Sequence, residues 1–180
     1  MDKYSKSQTL FNRAKNSLVG GVNSPVRSFS RVGGKSLLAD RAQGAYLWDV
    51  DDNRYLDFVL SYGPHLFGHN YQAVVENIKE ALKKAWSFGM TAQAEIEWAE
   101  LMKESTLGTE KVRAVNSGTE ACMTAVRMAR AYTHRDVIVK FAGHYHGHSD
   151  YLLMDTGSGA ATLSTEAVAG SAGIPKNASE

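Results

Sequence analysis

A short apolar run that leads through a polar turn directly into a helical pattern constrains this chain more than any other stretch. Residues 112–115 are β-prone, and the turn Asn-Ser-Gly-Thr-Glu at 116–120 follows them at once. Small and apolar residues then recur at helical spacing from residue 119 to 132. The sequence therefore predicts a strand, a tight turn and a helix in immediate succession.

The polar turn has the chemistry of an anion site. Ser117 or Thr119 can cap the helix, and Gly118 allows a tight bend and the close approach of a ligand. The first N–H groups of a helix also lack partners within the helix. Phosphate is the anion that such a turn suits best. If the turn binds phosphate, we expect one phosphate monoester on a small cofactor, because the turn has neither the Gly-x-Gly-x-x-Gly of dinucleotide folds nor the Gly-Lys-Ser/Thr of P-loops. An ordinary helix cap in a βα loop is the alternative.

Composition limits the class of protein. The chain has 180 residues, enough for one domain, and 20 basic against 19 acidic residues give a net charge of +1. This balance gives no electrostatic reason to expect nucleic acid or a membrane surface as partner. The single cysteine, Cys122, excludes an internal disulfide and suits a reducing compartment. Because a signal peptide and a membrane span are also lacking, we expect a cytoplasmic protein.

The remaining patterns predict an N-terminal segment, 1–65, followed by the first part of a larger α/β domain, 66–180. The expected elements are a helix over 5–18, a β-hairpin over 45–59, helices over 71–86, 93–105 and 119–132, and strands over 112–115 and 137–141. The last strand, helix and strand form a βαβ unit, for which parallel pairing is expected. Two parallel strands do not complete a doubly wound sheet, so we expect the first part of a longer protein.

Tyr145 follows the second predicted strand, at the end where open α/β sheets bind ligands. If the two strands are parallel neighbours, Ser117, Gly118, Thr119 and Tyr145 lie on one edge of the sheet. An aromatic ring beside a phosphate turn suggests a flat cofactor, held by stacking at one end and by its phosphate at the other. A half-buried loop aromatic is the alternative interpretation.

Alternating histidines beside the same tyrosine raise the question of a metal site. His144, His146 and His148 alternate, and Asp150 follows two residues later. Alternating histidines can bind zinc when the segment is extended. The glycines within this stretch favour a loop instead, so we assign no metal site.

Several segments together resemble the class III, fold type I pyridoxal-phosphate enzymes. The matching runs are Gly-Gly-Val-Asn-Ser-Pro-Val-Arg at 20–27, Asn-Ser-Gly-Thr-Glu-Ala at 116–121, Lys-Phe-x-Gly-x-Tyr-His-Gly at 140–147 and Gly-Ser-Gly-x-x-Thr at 157–162. The resemblance covers the chain from Leu10 to about Thr162 and narrows to the aminomutase branch of the family. It implies an N-terminal helix and β-hairpin segment, followed by the start of the large, mainly parallel-sheet α/β domain.

The resemblance also implies cofactor, reaction and assembly. The cofactor would be pyridoxal 5′-phosphate or pyridoxamine 5′-phosphate, and the full-length enzyme would be a homodimer. The reaction would be the intramolecular amino transfer that converts the amino-aldehyde glutamate-1-semialdehyde into 5-aminolevulinate, a tetrapyrrole precursor. The family's Schiff-base lysine is expected beyond Glu180, since Lys140 sits in a predicted strand and does not match it. No catalytic residue is therefore assigned, and the 180 residues alone are expected to be inactive.

The resemblance implies cofactor-binding roles for four positions of the chain. Ser117, Gly118 and Thr119 would hold the cofactor phosphate through backbone N–H and hydroxyl groups, as the helix-terminus argument already proposes. Tyr145 would pack on the pyridine ring.

Three further positions take substrate roles. Arg27 would pair with the substrate carboxylate in bidentate geometry, Tyr62 would line the pocket, and Ser158 would lie in a loop that closes the site. Without the resemblance, Arg27 is a solvated arginine, and Tyr62 is either core packing or a pocket wall.

Two departures from the family concern the substrate side. The family usually has tryptophan at the position of Tyr62, and the stretch between Thr162 and Pro175 is longer than expected. An ω- or β-amino-acid aminotransferase with a similar front half is therefore one alternative. A non-catalytic module that binds a phosphate ligand or dimerises is the other.

Overall fold

The computed structural model describes residues 3–29, 32–34, 36–154 and 173–175. The chain divides into two units, Met1–Met90 and Thr91–Glu180. The first unit contains helix α1 Ser5–Ala14, strands β1 Ala39–Gln43, β2 Tyr46–Asp49 and β3 Arg54–Leu56, and helix α2 Gln72–Leu82. The second unit contains helices α3 Gln93–Ser105 and α4 Gly118–Thr133. The predicted boundary after residue 65 stays a prediction.

The sheet of the first unit is antiparallel and has the order β1-β2-β3. Pairing of β2 with β3 confirms the predicted hairpin. Gly44, with φ of 55°, and Ala45 form the tight turn between β1 and β2. Strand β1 was missed because its sequence, Ala-Asp-Arg-Ala-Gln, lacks the apolar alternation that predicts a strand.

Asp49 organises the turn between β2 and β3. Its carboxylate is fully buried and accepts hydrogen bonds from the backbone N–H of Asp51 at 2.9 Å and of Asn53 at 2.8 Å. It also accepts one from the Tyr55 hydroxyl at 2.8 Å. Burial alone would raise the pKa of Asp49, but hydrogen bonds from Asn53 and Tyr55 outweigh it and lower the pKa. Burial and the neighbouring Asp49 carboxylate raise the pKa of Tyr55 above its ordinary value.

The same turn caps helix α1. The Asp51 carboxylate accepts hydrogen bonds from the backbone N–H of Lys6 at 2.7 Å and of Ser7 at 2.8 Å. These are two of the donors that a helix leaves unpaired at its N-terminus, so a side chain remote in sequence supplies the missing cap. Helix α1 ends at Ala14, four residues before the predicted end at Leu18.

The other helices follow the sequence patterns closely. Helix α3 has its predicted bounds, α4 extends the prediction by one residue at each end, and α2 ends at Leu82 rather than residue 86. The apolar stripe of α2 is exposed, with Ile78 53% accessible. Within the described ranges, no helix is both long and apolar enough to cross a membrane.

One expectation is wrong for the described residues. Segments 112–115 and 137–141 are not strands, and they do not pair with each other. Val139 is 90% exposed and Phe141 80% exposed. An apolar run forms a strand only where a partner strand supplies the ladder hydrogen bonds, and in the described residues neither segment has such a partner.

Candidate functional site

The N-terminus of α4 is capped from within its own turn. Ser117 is extended, with φ of −154°, and its hydroxyl oxygen accepts a hydrogen bond from the backbone N–H of Glu120 at 3.2 Å. The Glu120 carboxylate in turn accepts from the backbone N–H of Asn116 at 2.6 Å. This is a variant of the capping box, displaced by one residue.

The cap leaves several donors open. In the described part of the chain, the backbone N–H groups of Gly118 and Thr119 have no acceptor. Within the same described residues, the hydroxyl groups of Ser117 and Thr119 serve only as acceptors, so both can still donate. A Cβ atom built on Gly118 would meet nothing within 4 Å, so the space beside these donors is open. Open donors at the positive end of a helix dipole fit a phosphate group.

A second segment closes onto this turn. The backbone N–H of His148 donates to the Thr119 hydroxyl oxygen at 3.2 Å. Gly147 is buried, and a Cβ atom there would lie 2.6 Å from that oxygen and 2.7 Å from the Thr119 Cα. With φ of 88°, this position admits only glycine without strain. The segment that follows Tyr145 therefore contacts the turn through Gly147 and His148, although segments 112–115 and 137–141 do not pair.

Tyr145 lies two residues before Gly147 and is 66% exposed. Among the described residues its ring makes no aromatic, cation–π or hydrogen-bond contact. An exposed aromatic ring on a loop that contacts the anion turn is suited to stacking on a flat ligand.

The histidines of this loop contact each other. The rings of His144 and His146 stack with centroids 6.3 Å apart and an angle of 10° between their planes. In the ranges that the structure describes, no group of three or more His, Cys, Asp or Glu side chains is placed to hold a metal ion.

The substrate-side candidates fall in different parts of the chain. Arg27 ends the 3₁₀ turn Pro25–Arg27 in the first unit; it is exposed, and within the described residues its guanidinium has no ion-pair partner. Tyr62 is in the same unit and is 71% exposed. Ser158 lies outside the described residues.

The sequence did not reveal two features of the loops that carry Tyr145 and Tyr62. One is the contact of Gly147 and His148 with Thr119, for which the glycine two residues after Tyr145 was an available signal. The other is the backbone around Tyr62, where φ is positive at 63°. Nothing in a Leu-Ser-Tyr sequence favours that conformation.

Comparisons with known proteins match most of the chain. Residues 29–180 match the family model described as aminotransferase class III. The chain is 53% identical over 157 residues to glutamate-1-semialdehyde 2,1-aminomutase from Salinibacter ruber, which covers 87% of this chain and 36% of that protein. The chain thus spans little more than a third of that curated relative.

Two solved structures resemble the chain in fold. A transaminase with PLP bound superposes with a TM-score of 0.86 at 35% identity, over 97% of this chain and 40% of that one. An omega-transaminase from Sphaerobacter thermophilus gives a TM-score of 0.84 at 34% identity, over 99% of this chain and 42% of that one. The matches include both the α4 turn and the Tyr145 loop.

Proposed function

The chain belongs to the class III aminotransferase family, and we propose that the protein carrying it is a pyridoxal-phosphate-dependent aminomutase. The reaction is the conversion of glutamate-1-semialdehyde into 5-aminolevulinate by intramolecular amino transfer. Membership confirms the fold type I α/β architecture predicted from the sequence. The aminomutase is favoured over an aminotransferase because identity to the curated aminomutase is 53%, against 35% for the transaminase structure.

The observation that carries the proposal is the open N-terminus of α4. The free N–H groups of Gly118 and Thr119, with the hydroxyl protons of Ser117 and Thr119, bind the phosphate of the cofactor. Hydrogen bonds to a charged acceptor are worth about twice those between neutral groups, and the helix dipole adds to them. The contact from His148 directs the Thr119 hydroxyl, because its oxygen already accepts one bond.

Tyr145 orients the other end of the cofactor. Its exposed ring stacks on the pyridine ring and shields that face from water. When bound, the cofactor supplies an electron sink and carries the amino group. The residues of this chain contribute binding and orientation.

On the substrate side, Arg27 binds the substrate by its charge. Arg27 pairs its exposed guanidinium with the carboxylate of the substrate, because a planar fork matches a carboxylate in two-point geometry. Tyr62 lines the pocket, and the family resemblance assigns Ser158 to a loop that closes it. Closure retains the intermediate between the two half-reactions.

The proposal extends to assembly and location. The protein is a cytoplasmic homodimer, as the family resemblance implies and as a chain with a single cysteine suits. Sedimentation equilibrium on the full-length protein tests the dimer, and a single monomeric species contradicts it.

The test of function is conversion without an amino acceptor. The full-length protein, loaded with pyridoxamine phosphate, should form 5-aminolevulinate from glutamate-1-semialdehyde when no second amino or keto substrate is present. A strict requirement for an added partner substrate supports the aminotransferase alternative, which the likeness to transaminase structures and the tyrosine at 62 favour. A protein that neither binds the cofactor nor turns over any amino substrate supports the non-catalytic module.

A further inference from the structure

We propose that Asp57 and His69 form a positioning pair that holds the backbone turn at 60–63 in a left-handed conformation and thereby fixes Tyr62 toward the substrate. Asp57 and His69 would thus have a role although they lie outside the proposed cofactor site. The inference rests on the proposed function, because Tyr62 is a substrate-side residue only if the protein acts on an amino substrate.

The turn at 60–63 cannot be explained by its own sequence. Leu60, Ser61 and Tyr62 have φ values of 47°, 53° and 63°, and Gly63 has φ of 114°. Residues other than glycine avoid this region because Cβ approaches the carbonyl oxygen, and they enter it as single residues rather than in runs. Three such residues in succession persist only where the surroundings impose the conformation, and backbone outliers of this kind cluster at binding sites.

The Asp57 carboxylate helps to hold the left-handed conformation of the turn by hydrogen bonding to its backbone. One carboxylate oxygen accepts hydrogen bonds from the backbone N–H of Val59 at 2.8 Å and of Leu60 at 3.1 Å, at the entry to the turn. The other lies 2.7 Å from the Nε2 atom of His69. The side chains of Asp57 and His69 are 7% and 14% exposed, so the pair is largely shielded from solvent. The hydrogen bond from His69 holds the pKa of Asp57 below its ordinary value, and an ionised acceptor suits all these donors.

Both members of the pair are anchored on the same hairpin. The N–H of Asp57 donates to the carbonyl of Ala45 at 2.9 Å, and the N–H of His69 donates to the carbonyl of Gly44 at 2.8 Å. The N–H of Gly44 returns a bond to the carbonyl of His69 at 2.9 Å. The loop from 57 to 69 therefore has its two ends side by side on the β1–β2 turn, and the carboxylate–imidazole bond joins them a second time.

The loop orders an exposed side chain rather than a buried one. Tyr62 is 71% exposed, and in the described part of the chain its ring packs on no other aromatic ring. Here the buried pair lies at the base of the loop, and the strained turn presents a tyrosine outward, which is the arrangement of a positioning device.

A double-mutant cycle on the full-length enzyme tests this role. His69→Ala should raise KM for the amino substrate about tenfold without weakening cofactor binding, and Tyr62→Ala should raise it by a similar factor. The double variant should match Tyr62→Ala alone, because the pair then has no side chain to position. His69→Gln, whose amide N–H can replace the Nε2 donor, should restore most of the loss. Asp40→Ala, which removes an exposed carboxylate in the same sheet, is the matched control and should leave KM unchanged.

Effects of His69→Ala and Tyr62→Ala that multiply, or an equal loss of cofactor affinity, would overturn the inference. Hydrogen exchange supplies a readout that is independent of turnover: the amides of Val59 and Leu60 should lose at least tenfold protection in His69→Ala and keep it in His69→Gln. Unchanged protection in His69→Ala also overturns the inference. If the wild-type enzyme needs an added amino acceptor, the proposed function fails, and the same cycle is then measured with the amino substrate that it accepts.

Discussion

Two polar turns of this chain use similar residues to opposite effect. In the turn after β2, the carboxylates of Asp49 and Asp51 consume the surrounding N–H and O–H donors, including those of helix α1. In the turn before α4, Ser117 consumes one N–H and leaves those of Gly118 and Thr119 open. Short polar side chains therefore predict a turn but not its purpose. The purpose depends on whether the donors of the turn are already satisfied.

The two turns differ also in charge. Asp49 and Asp51 place negative charge at the centre of the first turn, which repels an anion. The second turn has one acidic residue, Glu120, whose carboxylate already accepts a hydrogen bond from the N–H of Asn116. The donors of the first turn are thus satisfied within the protein, whereas the second turn keeps open the donors that the proposed phosphate site requires.

The largest expected effect comes from breaking the first turn. Asp49→Ala leaves the N–H groups of Asp51 and Asn53 and the hydroxyl of Tyr55 without their acceptor in a buried place. The free energy of unfolding should fall by about 3 kcal/mol, measured by urea denaturation. Cofactor affinity at low temperature should not change. A loss below about 0.5 kcal/mol would remove the distinction between a satisfied and an open turn.

The second turn can be broken from outside. Gly147→Ala places a Cβ atom 2.6 Å from the Thr119 hydroxyl oxygen, so the loop or the helix terminus must move. Overpacking of this size should weaken pyridoxamine phosphate binding about tenfold or more, as followed by absorbance titration. Gly89→Ala, where a Cβ atom meets nothing within 4 Å, is the control and should bind normally. Equal affinity in both variants would show that the loop does not shape the site.

Acid should weaken the turn after β2. Hydrogen bonds lower the pKa of Asp49, Asp51 and Asp57, against the opposing effect of burial. An aspartate whose pKa is lower in the folded state than in the unfolded state stabilises the fold at pH values above its unfolded-state pKa of about 3.9. This stabilisation is lost as the pH falls through the pKa of the folded state. Circular dichroism melts between pH 6 and pH 2 should show Tm falling below pH 4, less steeply in Asp49→Asn. Parallel curves for both proteins would contradict the assignment.

The smallest expected effect sharpens the comparison of charge. Glu120→Gln keeps an oxygen acceptor for the N–H of Asn116 and removes a negative charge from the helix terminus. Pyridoxamine phosphate should bind about twofold more tightly at low ionic strength, and the gain should vanish at high salt. Weaker binding at both salt concentrations would mean that the carboxylate itself takes part in the site.

Local patterns in the sequence were enough for much of this fold. Helices α3 and α4 and the β2–β3 hairpin were predicted because apolar spacing and turn residues act within a few positions. The Ser-Gly-Thr turn was likewise predicted as a helix start. The roles assigned to Ser117, Gly118, Thr119 and Tyr145 stay predictions until cofactor binding is measured.

Features that depend on distant residues were missed. The contact of Gly147 with Thr119 joins the first turn of helix α4 to a loop that follows the helix in sequence, and the parallel ladder expected between segments 112–115 and 137–141 is not formed. The left-handed run at 60–62 depends on Asp57 and His69, which anchor its loop on the hairpin. Local preference therefore fails where the backbone is held by remote contacts, and such places are frequently functional.

The central claim is that the turn before α4 binds a phosphate group. The direct measurement compares the dissociation constants of pyridoxamine phosphate and pyridoxamine for the wild-type protein and for the double variant Ser117→Ala with Thr119→Ala. The phosphate should strengthen binding about a hundredfold or more in the wild type, and this ratio should fall at least tenfold in the variant. Equal affinities of the two compounds for the wild-type protein, or an unchanged ratio in the variant, would contradict the account.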